Sequence, residues 1–216
     1  MHNYIDISVP LHPNLPVWTG GYGVHISALQ QLRSGDIANV SRLDIDIHNG
    51  THIDAPLHFV DGGKTTDEIA LDRFLGPCHV VEIKGVKAIG RQELEAAGIP
   101  WGIKRLLLKT DNSELWTNMS HPFVEDFSAL SPDGAQWAVD RGIDLIGIDY
   151  HSIQRFADPP DTHIILLQHE IIILEGLDLR DAAPGVYELI CLPIKIRGVE
   201  GASARAILKV IHDSTN

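Results

Sequence analysis

Short stretches in which β-branched and other apolar residues alternate with polar ones recur along most of the chain, the mark of strands with one buried face. They cover Tyr4 to Ser8, Val24 to Leu29, Val40 to His48, His79 to Lys84, Leu106 to Thr110, Ile143 to Asp149, Ile171 to Glu175, Val186 to Pro193 and Ala206 to Ile211. Helical signals fall between some of them. Arg91 to Ala97 is closed by Gly98, and Ser131-Pro132-Asp133 sets a capping serine before a proline at the first position of a helix that runs to about Arg141. Strands outnumber helices and do not alternate strictly with them, so the pattern predicts an α/β fold with a mixed sheet and not a doubly wound parallel one. No repeat or low-complexity linker marks an internal boundary, and residues 1–216 read as one domain.

Composition narrows the class of function. Hydrophobic residues make up 44% and charged residues 21% of 216, enough to bury a core without staples. A net charge of −12 repels phosphate backbones and anionic bilayers, so neither nucleic acid nor a membrane surface is an expected partner. The opening Met-His-Asn-Tyr-Ile-Asp carries no basic stretch followed by an apolar core, and a cytoplasmic location is expected. Cys78 and Cys191 sit far apart in apolar contexts and read as two buried thiols in a reducing compartment. Two nucleophile or nucleotide motifs fail on single positions. Gly62-Gly63-Lys64-Thr65 lacks the first glycine of a phosphate-binding loop because His58 stands there, and Gly201-Ala202-Ser203-Ala204 is followed by Arg205 where a nucleophile elbow needs glycine.

Twelve histidines are many for this length, and three of them fall with an aspartate in His48-Asn49-Gly50-Thr51-His52-Ile53-Asp54-Ala55-Pro56-Leu57-His58-Phe59. Upstream, Leu43, Ile45 and Ile47 alternate with Asp44, Asp46 and His48, which predicts a strand with a buried apolar face and a polar face ending in His48. In a straight strand His48 and His52 would stand about 13 Å apart, whereas two donors on one metal lie within about 3.5 Å. The chain must bend, and Gly50 is where it can. A helix would also bring positions four apart together, but Asn49-Gly50 and Pro56 disfavour it. On a strand, sharp turn and extended loop, His48, His52 and Asp54 converge as two imidazoles and a carboxylate, a set suited to Zn or Mn with a position left open for water. A lone histidine is usually a satisfied polar residue; a cluster around a turn is not.

His48-x-Gly50-Thr51-His52-x-Asp54-x-Pro56-x-His58-Phe59 resembles the signature of the cyclase family of metal-dependent hydrolases, which includes bacterial kynurenine formamidases and isatin hydrolases. The likeness extends from Leu15-Pro16-Val17-Trp18 through Gly147-Ile148-Asp149-x-x-Ser152 to Glu175-Gly176-Leu177 and Leu192-Pro193-Ile194-Lys195. The resemblance implies a swivelling β/β/α fold, a homo-oligomer (dimer or tetramer), and hydrolysis of a carbon–nitrogen amide bond by a metal-activated water. It implies that His48, His52 and Asp54 bind metal together with the distant His163 and Glu175, that two divalent ions (Zn or Mn) are held per subunit, and that His58 stays unligated and moves the proton. Isatin hydrolases carry Gln where this chain has Glu175, which tips the resemblance toward a formamidase.

Elementary geometry bears on the distant pair. A continuous helix from His163 to Glu175 would separate them by about 18 Å, so a short helix starting near Asp161-Thr162 must reverse into the strand at Ile171. Trp18 is the candidate for stacking on a flat aromatic substrate, although a tryptophan packing a loop is an equal reading. Trp18-Thr19-Gly20-Gly21 departs from the Trp-Pro-Gly-Asp common in the family, and Gln154 stands where an acid is common, so the substrate is less fixed than the chemistry. His151 and His169 read as structural, or as groups behind the ligands. The expected function is an arylformamidase acting on N-formylkynurenine. Its rivals are a hydrolase of a cyclic amide or imide such as isatin, a ring-forming cyclase, and a non-catalytic metal-binding scaffold.

Overall fold

The computed structural model describes residues 3–211. The strands are β1 (Tyr4–Asp6), β2 (Val24–Gln30), β3 (Val40–Ile45), β4 (His52–Asp54), β5 (Leu75–Glu82), β6 (Ala88–Ile89), β7 (Arg105–Lys109), β8 (Ala129–Leu130), β9 (Leu145–Ile148), β10 (Ile172–Glu175), β11 (Gly185–Pro193) and β12 (Gly201–Val210). The helices are α1 (Arg91–Ala96), α2 (Pro132–Asp140) and α3 (Asp161–Gln168). Local chemistry sets their ends. The Ser131 hydroxyl accepts from the Gly134 N–H ahead of Pro132 at the start of α2, and the Glu93 carboxylate reaches back to the Gly90 N–H at the start of α1. After α3 the chain turns at Glu170, whose φ is 56°, and enters β10.

Eight strands form one sheet in the order β1-β12-β11-β5-β7-β9-β10-β4, and β4 pairs again with β12, so the sheet closes on itself. β5, β7, β9 and β10 run parallel; the remaining pairings are antiparallel, which makes the sheet mixed, as the sequence pattern predicts. β1 and β4 share one edge of β12, opposite residues 207–209 and 201–203 respectively. Alternation then sorts the side chains. Ile53, Val80, Leu107, Leu145, Leu174, Leu189 and Leu208 belong to one apolar cluster inside the ring. Leu106, Leu108, Ile146 and Ile173 point the other way and pack under the helices with Leu94, Trp137 and Leu166. Each strand of the parallel set is therefore apolar on both faces, which is why it reads as a continuous hydrophobic run.

One expectation fails here. The strand read over Val40 to His48 stops at Ile45, and of its apolar side chains only Ile45 packs against the core: Leu43 is 51% exposed. β3 pairs only with β2, and this two-stranded ribbon stands off the barrel with Ile26, Leu29, Leu32 and Ile37 also exposed. Alternation correctly gave a strand, but it cannot say whether a second layer exists behind it. His48 consequently lies in the turn after the ribbon and not on a strand. The segment His52–Asp54, expected as extended loop, is a short strand instead.

The bend expected at Gly50 is present, with φ at 66°. It is reinforced by a second glycine that no local pattern singles out. Gly176 also has φ of 66°, and a Cβ placed there would lie 2.2 Å from the Gly50 carbonyl oxygen. The Thr51 hydroxyl donates to the Gly176 carbonyl at 2.6 Å and accepts from the Val9 N–H at 2.9 Å, fastening the bend to β10 and to the segment after β1. Gly176→Ala should therefore lose roughly 2 kcal/mol or more, a fall in Tm of at least about 5 °C by thermal melting, since both the backbone conformation and the contact forbid the methyl. An unchanged Tm would show that the two turns are not locked together.

Candidate metal centre

β4 builds the site with three residues. Ile53 points into the barrel, so His52 and Asp54 point out of it, and the antiparallel register with β10 sets His52 opposite Glu175. All three polar side chains are almost wholly buried. His163 enters from the first turn of α3, with Nε2 3.3 Å from Glu175 Oε1 and 3.8 Å from Asp54 Oδ2. His48 reaches over from the turn, its Nδ1 2.9 Å from Asp54 Oδ1. His58 closes the short 3-10 turn Pro56–His58 and stacks its ring on that of His48, with centroids 4.1 Å apart. The reversal between α3 and β10 thus brings His163 and Glu175 to the same place as the signature residues.

Ligand atoms of His52, Asp54 and Glu175 lie within 4.8 Å of one another, and so do those of His48, Asp54 and His58. Asp54 belongs to both groups. The proton positions follow from the partners. His52 Nδ1 is 2.9 Å from the Gly50 carbonyl oxygen, which can only accept, so Nδ1 carries the hydrogen and Nε2 faces Glu175 Oε2 at 3.3 Å. His163 Nδ1 stands 3.2 Å from Gln154 Oε1 while the Gln154 amide donates to the Asp158 carbonyl, so His163 also turns Nε2 toward the carboxylates. A carboxylate oxygen that close to an imidazole nitrogen needs a positive particle between them, a proton or a metal ion.

The electrostatics agree. Burial works against a charge on His48, yet its hydrogen bond to Asp54 and the Asp54, Glu175 and Glu200 charges raise its pKa to about 9. Burial likewise opposes ionisation of Glu175, but His163 and His52 hold its carboxyl well below the usual range. His58 is pushed down by burial and stays neutral at pH 7. His48 Nε2, His52 Nε2 and Asp54 Oδ2 are buried without a hydrogen-bond partner. Buried, unpaired imidazole and carboxylate donors gathered around Asp54 fit a divalent cation.

Beside the donors opens a cavity of about 540 Å³ lined by Trp18, Phe59, Phe156, His58 and His151, among others. Trp18 packs against Phe156 and Phe123, with centroids 4.9 and 5.2 Å apart, so it is at once loop packing and a wall of the cavity. Phe59 stacks on His163 at 4.6 Å. Two carboxylates at this cavity escape the sequence reading. Glu200 lies 3.4 Å from His48 Nε2, and Asp46 accepts the Tyr22 N–H. Glu200 arrives through sheet closure and has no local signal; Asp46 alternates with His48 and was open to notice. His151, read as structural, lines the same cavity, and His169 lies elsewhere, bonded to the Ile165 carbonyl. Asp149 of the Gly-Ile-Asp-x-x-Ser stretch is a buried anchor that accepts from Thr110 and Ser113.

A family model described as putative cyclase matches residues 5–155. Cyclase-like protein 3 of Arabidopsis thaliana is 37% identical over 211 residues, covering 94% of this chain and 78% of that protein. The kynurenine formamidase of Bacillus cereus is 34% identical over 213 residues, covering 96% of this chain and 98% of that one. Among solved structures, a potential metal-dependent hydrolase with cyclase activity superposes with a TM-score of 0.81 at 32% identity, over 95% of this chain and 96% of the other. An isatin hydrolase bound to the product analogue thioisatinate gives a TM-score of 0.83 over 96% and 92% of the two chains, but at 19% identity it shows the fold alone. With the family model spanning most of its length and relatives of 34% and 37% identity along nearly all of it, the chain belongs to the cyclase family.

Proposed function

We propose that the protein is a metal-dependent amide hydrolase acting on an N-formyl aryl amide such as N-formylkynurenine. The observation that carries the reading is Asp54, shared between two groups of donors at the side of an aromatic cavity that also holds His58. The family relationship to a kynurenine formamidase supports the same class of substrate. His48, His52, Asp54, His163 and Glu175 would hold the divalent ions, zinc or manganese and two per subunit, which supply a nucleophilic water at neutral pH and polarise the amide carbonyl. His58, neutral because it is buried, accepts the proton of the attacking water and returns it to the amine nitrogen as the carbon–nitrogen bond breaks. Trp18, Phe59 and Phe156 take the aryl ring between them and keep bulk water away.

Purified protein should turn over N-formylkynurenine, lose that activity to a chelator and regain it with zinc or manganese. Chelator-insensitive turnover overturns the metal mechanism. Activity on isatin alone transfers the reading to a cyclic amide, and a metal-loaded protein inert toward both supports a scaffold or a cyclase. His58→Ala separates proton transfer from ligation, since His58 nitrogen lies with the donors of His48 and Asp54. We expect unchanged metal content and kcat lower by about 10²–10⁴-fold. Lost metal would make His58 a ligand, and near-wild-type turnover would pass the proton to another group.

The protein is further proposed to be a cytoplasmic homo-oligomer. Both cysteines are buried free thiols, which suits a reducing compartment. Among the described residues no helix is long and apolar enough to cross a membrane. A two-stranded ribbon is marginal by itself, and the exposed Ile26, Leu29, Leu32 and Leu43 of the β2–β3 ribbon offer a second copy an apolar face. Sedimentation should show a dimer or tetramer that Leu43→Glu weakens; a monomer at micromolar concentration would sink this part alone.

A further inference from the structure

We propose that His151 is a further catalytic residue, donating a hydrogen bond from its imidazole N–H to the carbonyl oxygen of the amide as that oxygen gains negative charge. The proposal rests on the hydrolase reading above and adds a group that the signature residues do not include. His151 follows β9 by three positions, and its backbone is tied on both sides to the donor set. The Tyr150 carbonyl accepts the Gly176 N–H at 2.7 Å, and the Ile153 N–H donates to Glu175 Oε1 at 2.7 Å. Its ring is wedged among Tyr150, Phe123 and Trp116, with centroids 4.6, 5.4 and 5.5 Å away. The residue is only 5% exposed, yet it lines the same cavity as His58 and Glu175.

The imidazole is thus held rigidly, and its Nε2 is buried with no hydrogen-bond partner. Leaving a ring nitrogen unpaired costs a protein stability, so an imidazole kept this way in a residue that lines the cavity calls for a use beyond packing. Neither group of metal donors includes His151. Burial holds its pKa down to about 3, so the ring is neutral across the physiological range. A neutral imidazole carries one N–H, and donation to an oxygen that turns anionic grows stronger along the reaction, which is where such a bond accelerates chemistry. His58 on the same cavity remains the group that moves the proton.

His151→Phe and His151→Gln, each compared with wild type for turnover of N-formylkynurenine, metal content and Tm of the metal-free protein, test the assignment. With the phenyl ring we expect kcat to fall about 10²–10³-fold, unchanged metal content, and a metal-free Tm equal to or above wild type because an unpaired nitrogen is removed. His151→Gln, which restores an N–H donor, should recover at least about tenfold of that loss. If His151→Phe keeps kcat within about twofold, or if its loss comes with a lower metal-free Tm that His151→Gln shares, the residue packs the wall and the proposal is overturned. If wild type hydrolyses no amide, the failure is that of the hydrolase reading, and the role of His151 falls with it.

Discussion

A carboxylate and an imidazole nitrogen cannot sit 3.3 Å apart inside a protein unless positive charge lies between them, and this fold makes that contact twice on Glu175. The other nitrogen of each ring is already committed, to Gly50 for His52 and to Gln154 for His163. The rings therefore cannot rotate the clash away. Protonated imidazoles satisfy the arrangement at a cost in desolvation, whereas a divalent ion would satisfy the carboxylate and an imidazole without a proton between them. The bend at Gly50, its contact with Gly176, and the three-residue strand held from both sides exist to keep these atoms converged.

The donors and the cavity walls come from different kinds of structure. His52, Asp54 and Glu175 sit on barrel strands whose register is pinned by inward-facing Ile53 and Leu174. Trp18, Phe59 and Phe156 of the wall come from segments between strands; Trp18 and Phe156 interlock with each other and with Phe123 behind them, while Phe59 stacks on His163. Strand positions are hard to vary because a one-residue slip would send every donor into the core. Loop aromatics can change without disturbing the barrel, which fits one fold being shared by proteins named kynurenine formamidase and isatin hydrolase.

Much of this was legible wherever a constraint is local. The Ser131-Pro132 start of α2, the bend at Gly50 and the reversal between His163 and Glu175 each follow from a few neighbouring residues. The signature from His48 to His58 carried most of the site because those side chains meet across one turn. Legibility ended where a second segment decides. The ribbon strand β3 has the alternation of a core strand but nothing behind Leu43. β4 is too short to show a period and is a strand only because β10 and β12 flank it. Glu200 meets His48 through closure of the sheet, and His151 is a lone histidine whose position depends on hydrogen bonds to β10.

The location of the site follows from the topology as much as from the motif. In open α/β sheets, ligands collect beyond the carboxyl ends of parallel strands, where side chains and backbone groups of successive crossovers converge. Here the sheet is closed and mixed, yet the same end is used: Glu175 is the last residue of β10, and His151 lies just past the end of parallel β9. Antiparallel β4 starts where β10 stops, so His52, its first residue, is delivered beside Glu175, the last residue of its neighbour. One antiparallel strand inserted next to a parallel set therefore doubles the polar groups at that end. It allows two donor groups to share Asp54 without a longer loop, and places His58 a single short turn downstream.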